Sequence, residues 1–306
     1  MLISKLGIPE NFADRLQDLK SKTLKWETLY KSGTEKNSKT TISFYQSLNP
    51  NIGNLVLVPG MASNSKIDPL MKMIQYWGLT HRYNIINIDS FLGDFEKEIT
   101  PDNIHDYDYS ELKTVLQRSL KFIQPHIANK HSCIIGHCVS TTIITDMLND
   151  DIKNGEALPV QSAILFAPFP KILPSKYDAI MSRRMQIEAE NKNCAILDPI
   201  TALKLKHMKF ICAMHDFIET VENIPFEPKT IAQWGIPVSF VIAGRDKISP
   251  ATRAKENFEK ISKEQGTTKA QYLYLPERKH TFEQLYKNYN DIIQIIKTQR
   301  NKNKIK

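Results

Sequence analysis

The amino-acid sequence predicts an α/β fold, a doubly wound and mostly parallel sheet of about eight strands with helices on both faces. Short runs of consecutive apolar residues, which suit strands buried on both faces, alternate with longer segments of helical periodicity along most of the 306 residues. The composition agrees, since apolar residues are 41% and charged residues 24% of the chain, as in ordinary globular proteins. Crossover connections in such a sheet are expected to be right-handed.

Strands are predicted where short apolar runs end at turn residues such as Pro and Gly. These runs are Lys25–Tyr30, Thr40–Gln46, Asn54–Val58, Tyr83–Ile88, Ser132–Ile135, Val160–Phe166, Pro237–Ala243 and Gln271–Leu275. Asn54–Val58 shows the pattern most clearly, because its apolar run ends at Pro59 and Gly60. The polar residues 31–39, between the first two runs, predict a hairpin loop.

Helices are predicted where apolar residues recur at intervals of three and four positions. These segments are residues 9–22, 66–80, 108–128, 141–148, 250–265 and 281–298. In the third segment, the residues of the apolar side are Leu112, Val115, Leu116, Leu120 and Ile123. A helix with such a stripe is expected to pack its apolar side against the sheet.

The alternation of strands and helices is interrupted over residues 169–233, where helical segments but no strong strand are predicted. We interpret this segment as a helical cap inserted into a core that is made of residues 25–168 and 234–298. Residues 1–24 are predicted to be an N-terminal helical extension. Residues 299–306 are predicted to be a flexible tail, because polar and basic residues dominate there.

The charge of the chain points to no large anionic partner. The formal net charge is +8, from 41 basic and 33 acidic residues, and the excess is spread along the chain. The sequence has neither zinc-knuckle spacing nor a glycine- and aromatic-rich RNA motif, so no nucleic-acid partner is expected. No apolar run approaches the ~18 residues that a membrane-spanning helix needs, and no membrane span is expected.

The N-terminus and the cysteines predict a cytoplasmic, reduced protein. No long apolar run follows a basic start at the N-terminus, so no signal peptide is expected. The four cysteines form no Cys-x-x-Cys pair and are too few for a disulfide framework. Cys133, Cys194 and Cys212 are expected to pack in the interior, and their spacing predicts no metal site.

The segment that carries chemistry is Gly136-His-Cys-Val-Ser140, which joins a predicted strand to a predicted helix. In a Gly-x-nucleophile-x-Gly pattern, the nucleophile lies on a sharp and strained turn that requires small neighbours. Gly136 is one small neighbour, and Ser140 replaces the second glycine with another small residue. The N-terminus of the following helix favours negative charge, so the pattern indicates that Cys138 reacts as a thiolate.

With these residues, the chain resembles the α/β-hydrolase superfamily over roughly residues 40–298. In that family, an acid follows a late strand and a histidine follows the last strand. Asp246 lies in Gly244-Arg-Asp-Lys-Ile-Ser-Pro250, after a predicted strand, and matches the acid. His280 lies shortly after the last predicted strand and matches the histidine. The order Cys138, Asp246, His280 is therefore the family's order of nucleophile, acid and base.

The resemblance also implies an oxyanion hole of two backbone N–H groups, from Met61 after an early strand and from Val139 after the nucleophile. One residue departs from the family pattern, because most members have serine where this chain has Cys138. A cysteine there is similar to dienelactone hydrolases and polyhydroxyalkanoate synthases. Those enzymes usually continue with glycines where this chain has Ser140 and Thr141, so neither of their substrates is carried over.

What the resemblance implies is an acyl hydrolase, either an esterase or a thioesterase, that forms a thioester on Cys138. His280 would act as the base and Asp246 as the orienting acid, with no cofactor and no metal. The expected substrate is a small-molecule ester or thioester. Two alternatives remain open: an acyltransferase of the same fold that passes the acyl group to an alcohol or amine, and a non-catalytic binding protein. The sequence predicts no oligomeric state.

Three residues are candidates for substrate binding. His137 lies beside the nucleophile, where it either packs or lines the pocket. Met208 and Met214 lie in the predicted cap, and their adaptable apolar side chains would suit an acyl group, although ordinary core packing explains them equally well. Asp89 ends a predicted strand, and we expect a structural role for it; it is the reserve candidate for the acid.

Overall fold

The structure, a computed structural model, describes most of the chain and confirms the predicted α/β sheet. The described residues are 12–21, 23–31, 39–47, 50–60, 68–89, 109–127, 130–171, 219–280, 282 and 289–302. Within them, eight strands form one sheet that has helices on both faces.

The sheet is mostly parallel. Its strands are β1 (Thr23–Lys31), β2 (Lys39–Ser47), β3 (Asn54–Val58), β4 (Asn84–Asp89), β5 (Ser132–His137), β6 (Ser162–Phe166), β7 (Val238–Ala243) and β8 (Ala270–Leu275). Their order across the sheet is β1-β2-β4-β3-β5-β6-β7-β8. Strand β2 runs antiparallel to both of its neighbours, and all other neighbouring strands are parallel.

The helices connect the strands and cover the sheet. They are α1 (Phe12–Ser21), α2 (Pro69–Thr80), α3 (Tyr109–Ile127), α4 (Val139–Lys153), α5 (Pro228–Ala232), α6 (Ala251–Lys263) and α7 (Tyr289–Lys302). The side chain of Asp68 caps α2, because its Oδ1 accepts the N–H groups of Leu70 at 2.9 Å and Met71 at 3.2 Å. Pro69 occupies the first turn, where no backbone donor is required.

Alternation along the central strands produces one core on each face of the sheet. In β5, Ile134 packs into a cluster with residues of α3, α4 and α6. The next residue, Ile135, packs into a second cluster with residues of α1, α2 and α7. Both side chains are 0% exposed. Continuous apolar runs such as Asn54–Val58 are therefore explained by burial on both faces.

The predicted closing helix starts later than residue 281. Phe282 has a φ of 51°, outside the helical region, and its N–H donates to the carbonyl of Lys279 at 3.0 Å. Its ring is buried and meets the edge of Phe166 at 5.3 Å. Burial of this ring holds the segment in a turn, which helical periodicity alone does not reveal, and the described helix α7 spans Tyr289–Lys302.

The end of the predicted cap packs into the core. Residues 172–218 lie outside the described residues, but α5 and Trp234 belong to the layer that covers the sheet. Trp234 is 4% exposed, and its Nε1 donates to Oδ1 of Asn149 on α4 at 2.9 Å. No helix among the described residues has the length and apolar character that crossing a membrane requires.

Candidate active site

The turn between β5 and α4 holds Cys138 in a strained conformation. Its φ of 57° and ψ of −125° lie in a region that side-chain-bearing residues rarely adopt. The Cys138 N–H donates to the carbonyl of Phe166 at the end of β6, at 2.9 Å. Cys138 is 6% exposed, and α4 begins at the next residue. A strained residue at the end of a central strand, directly before a helix, is the geometry of a nucleophile elbow.

Small residues surround the elbow because the backbones approach closely there. A Cβ atom added at Gly60 would lie 3.2 Å from Cβ of Cys138, and one added at Gly136 would lie 2.5 Å from Cδ1 of Ile144. Ser140, which stands where the family pattern has glycine, is buried and donates its hydroxyl to the carbonyl of Pro59. This hydrogen bond ties the first turn of α4 to the end of β3.

Thr141 supports the elbow from the other side. Its Oγ1 donates to the carbonyl of Cys138 at 2.5 Å and accepts the N–H of Phe169 at 3.2 Å. The polar groups of these two buried residues, Ser140 and Thr141, are therefore satisfied, and they hold the strained turn in place.

Asp246 and His280 form a close pair at the ends of β7 and β8. Nδ1 of His280 lies 3.0 Å from Oδ1 and 2.9 Å from Oδ2 of Asp246. Oδ1 of Asp246 also accepts the N–H groups of Ile248 at 2.7 Å and Ser249 at 2.8 Å. The Asp246 side chain is fully buried, whereas that of His280 is 15% exposed. The backbone thus fixes the carboxylate, and the carboxylate fixes the imidazole.

His280 also lies close enough to the side chain of Cys138 to interact with it electrostatically, so the three residues lie together. Because Nδ1 faces Asp246, Nε2 is the ring nitrogen that is left to interact with Cys138. Burial by itself lowers the pKa of His280, but the charges and hydrogen bonds of Cys138 and Asp246 outweigh it and raise this pKa to about 10. The site therefore favours the protonated form of His280.

The predicted oxyanion hole is described in part. Val139 is the first residue of α4, and N–H groups of a first helical turn have no acceptor within the helix. Met61 lies outside the described residues, although Pro59 and Gly60, which precede it, lie against the elbow. The oxyanion hole formed by Val139 and Met61 therefore stays a prediction.

The substrate-binding candidates lie in different surroundings. Met208 and Met214 are outside the described residues. His137 is 6% exposed, its Nε2 lies 2.9 Å from the carbonyl oxygen of His280, and its Nδ1 lies 3.4 Å from Oδ2 of Asp68. Both ring nitrogens thus face oxygens of the protein rather than an open pocket. Asp89 ends β4 and is half-buried.

The other cysteine that the structure describes is not placed to react. Cys133 is 1% exposed in the middle of β5, and burial raises the pKa of its thiol to about 12. Cys194 and Cys212 lie outside the described residues. Among the described residues, no three His, Cys, Asp or Glu side chains cluster as they would around a metal ion.

Asp68 is the residue of this region that the sequence analysis missed. The signal for its capping role was present, because Asp followed by Pro is typical of a helix N-terminus. Its contact with His137 joins segments that are far apart in sequence, and no local pattern predicts such a contact.

Comparison with solved structures finds the same fold at low sequence identity. An esterase from Pyrococcus furiosus matches with a TM-score of 0.58 at 15% identity, over 93% of this chain and 94% of its own. A dienelactone hydrolase from Anabaena variabilis matches with a TM-score of 0.55 at 12% identity, over 91% of this chain and 97% of its own. The protein Est1E from Butyrivibrio proteoclasticus, with ferulic acid bound, matches with a TM-score of 0.56 at 10% identity, over 86% and 96%.

Comparisons with protein-family models and with curated protein sequences give no match. The chain has the α/β-hydrolase fold, as its sequence predicts.

Proposed function

We propose that this protein is an acyl hydrolase, an esterase or thioesterase, in which Cys138 is the nucleophile, His280 the base and Asp246 the orienting acid. One observation carries the proposal. Cys138 lies in a strained turn at the end of a central strand, and its side chain interacts with a histidine that is itself paired with a buried carboxylate. A site that has lost its activity is not expected to retain both the strained turn at Cys138 and the pairing of His280 with Asp246.

The first half-reaction would transfer the acyl group to the enzyme. With His280 already protonated, Cys138 would react as a thiolate and attack the acyl carbon to form a carbon–sulfur bond. The N–H groups of Val139 and Met61 would stabilise the negative charge that develops on the acyl oxygen. When the tetrahedral intermediate collapses, the bond to the leaving group breaks, and the leaving alkoxide or thiolate takes the proton from His280.

The second half-reaction would release the product. His280, neutral again, removes a proton from water, and the resulting hydroxide attacks the thioester carbon. Cys138 leaves as a thiolate beside the imidazolium, and the carboxylic acid departs. Asp246 keeps Nδ1 of His280 protonated throughout, so that Nε2 is the atom that exchanges protons.

The proposed substrate is a small-molecule ester or thioester. Two of the structures that share this fold are an esterase and a dienelactone hydrolase, and a third holds ferulic acid, a small aromatic acid. These likenesses support the class of substrate only. Met208 and Met214 remain proposed contacts for the acyl group, and no cofactor is required by the proposed chemistry.

The test is turnover of a panel of activated esters and thioesters by the wild type, by Cys138→Ala and by His280→Ala. We expect hydrolysis by the wild type and a loss of kcat of at least ~10³-fold in both variants, since members of a triad act as a unit. Retention of activity in Cys138→Ala would overturn the assignment of the nucleophile. Absence of turnover by the folded wild type would favour a binding protein.

The same assay separates hydrolysis from acyl transfer. In the presence of simple alcohols and amines, a hydrolase releases mainly the free acid, and its rate does not increase with the concentration of the acceptor. If the main product is instead the new ester or amide, and if its rate rises with the acceptor, the protein is an acyltransferase.

A further inference from the structure

His137 occupies the variable position of the elbow pattern, yet its surroundings in the described residues are specific. Its imidazole lies between two segments that approach the site from different directions. The ring lies 5.1 Å from the ring of His280 and meets the edge of Phe282 at 6.0 Å. His280 and Phe282 belong to one of these segments, and Asp68, at the N-terminus of α2, belongs to the other.

The stronger of the two polar contacts is with the backbone of the proposed base. Nε2 of His137 lies 2.9 Å from the carbonyl oxygen of His280. A carbonyl oxygen can only accept a hydrogen bond, so Nε2 must carry the proton. The contact therefore fixes both the orientation of the His137 ring and the position of the His280 main chain.

Asp68 lies beside the other nitrogen of the same ring. Oδ1 of Asp68 is held by two N–H groups of α2, and Oδ2 lies 3.4 Å from Nδ1 of His137. This contact is not a hydrogen bond. The groups that face His137 are thus the Asp68 carboxylate, His280 and the adjoining Cys138. The cap of α2 fixes Asp68, so its carboxylate has a defined place beside the His137 ring.

The contact of His280 with Asp246 constrains the imidazole ring but not the main chain that carries it. Asp246 grips Nδ1 of His280 and so fixes one edge of the ring, but it does not fix the backbone from which the ring projects. That backbone lies in the turn after β8, which ends in the positive φ of Phe282. A displacement of about 1 Å between reacting groups can cost about 10²-fold in rate.

We propose that His137 is a positioning residue for His280, holding the carbonyl of His280 by a hydrogen bond from Nε2. The inference deepens the proposed function and rests on it, because positioning of His280 affects rate only if His280 is the base. Contact of His137 with the substrate is not part of this role.

The test uses the full chain with His137→Phe, which keeps an aromatic ring but has no donor, and His137→Gln, which keeps an amide donor. The matched control is His81→Phe. His81 also contacts a backbone carbonyl, with Nδ1 2.9 Å from the oxygen of Trp77, and its ring stacks on Trp77 at 4.7 Å, but it lies at the other end of α2. The measurements are kcat and KM for an activated ester, and the titration midpoint of His280 by nitrogen-15 NMR.

We expect His137→Phe to lose on the order of 10²-fold in kcat with little change in KM. The titration midpoint of His280 should fall from about 10, because the ring moves away from Cys138. His137→Gln should restore much of the lost kcat, and His81→Phe should change neither quantity. A purely structural role would lower the melting temperature of His137→Phe but leave the midpoint in place, and that result would overturn the proposal.

If His137→Phe does not fold, one measurement on the wild type tests the hydrogen bond from Nε2 of His137. The nitrogen-15 spectrum at neutral pH should show a protonated Nε2 for His137, and an Nε2 without a proton would overturn the proposal. This arm does not depend on turnover. A wild type that lacks activity but shows the protonated Nε2 would therefore refute the proposed function and leave the hydrogen bond standing.

Discussion

At the scale of single residues, the balance of forces on His280 is the most informative feature of the site. Burial favours the neutral ring, whereas Cys138 and Asp246 favour the charged ring more strongly. A pKa raised in the folded state means that the protonated ring stabilises the fold. That contribution is complete below the ordinary pKa of 6.5 and is lost as pH rises through about 10.

The raised pKa of His280 in the folded protein leads to a prediction about the pH dependence of stability. The difference in free energy of unfolding between the wild type and His280→Gln should decrease as pH rises from about 6.5 to about 10. Urea denaturation at several pH values measures it, and the same series with His81→Gln in place of His280→Gln serves as the control. A difference that stays constant over this range would show that His280 is not held as a cation beside Cys138.

The residues of the proposed triad could be singled out in the sequence because each lies directly or shortly after a strand, where the polypeptide pattern is distinctive. Cys138 follows β5, Asp246 follows β7, and His280 follows β8. The contacts of His137 were not predictable in the same way. Its partners, Asp68 and the carbonyl of His280, come from segments that only the folded sheet brings together.

At the scale of elements, the junction between β5 and α4 depends on a buried polar side chain, that of Ser140, at a position where the family pattern has glycine. Ser140 satisfies the carbonyl of Pro59 at the end of β3, and it is 1% exposed. A buried carbonyl that loses its donor costs about 1–3 kcal/mol.

We therefore predict that Ser140→Ala lowers the free energy of unfolding by about 1–3 kcal/mol. Chemical denaturation measures this loss. The control is Thr80→Ala, because Thr80 also donates its hydroxyl to a backbone carbonyl, that of Tyr76, but does so at the exposed end of α2. An equal and small effect in both variants would contradict the idea that Ser140 ties the elbow to β3.

Boundaries of elements were less predictable than their existence. The helix after Cys138 was predicted over residues 141–148, but α4 begins at Val139, because the elbow turns directly into the helix. The closing helix begins after Phe282, since burial of that ring against Phe166 stabilises a turn. Both boundaries are set by tertiary contacts, which outweigh local periodicity.

At the scale of the whole molecule, the sheet separates two hydrophobic cores, and its central strands are buried on both faces. The continuous apolar runs in the sequence predicted this arrangement, because a strand with one wet face alternates apolar and polar residues instead. The edge strand β8 differs, and its Tyr272 is 48% exposed.

Because both faces of the sheet are buried, we expect truncation of a side chain on either face to lower the free energy of unfolding by a similar amount. Ile134→Ala and Ile135→Ala should each lower the free energy of unfolding by about 2–5 kcal/mol, although the two side chains point in opposite directions. Tyr272→Ala should cost clearly less. Denaturation of the three variants measures these values, and a small effect for either isoleucine would mean that one face of the sheet is not covered.

The proposed mechanism depends most on attack of the Cys138 sulfur on acyl groups. Intact-protein mass spectrometry after brief incubation with a small activated ester tests it most directly, with peptide mapping to separate Cys138 from the buried Cys133. We expect an acyl adduct on Cys138 that forms within the mixing time, decays as the ester is consumed, and is absent in Cys138→Ala. An adduct of equal size in Cys138→Ala, or no adduct on a folded wild type that consumes the ester, would contradict it.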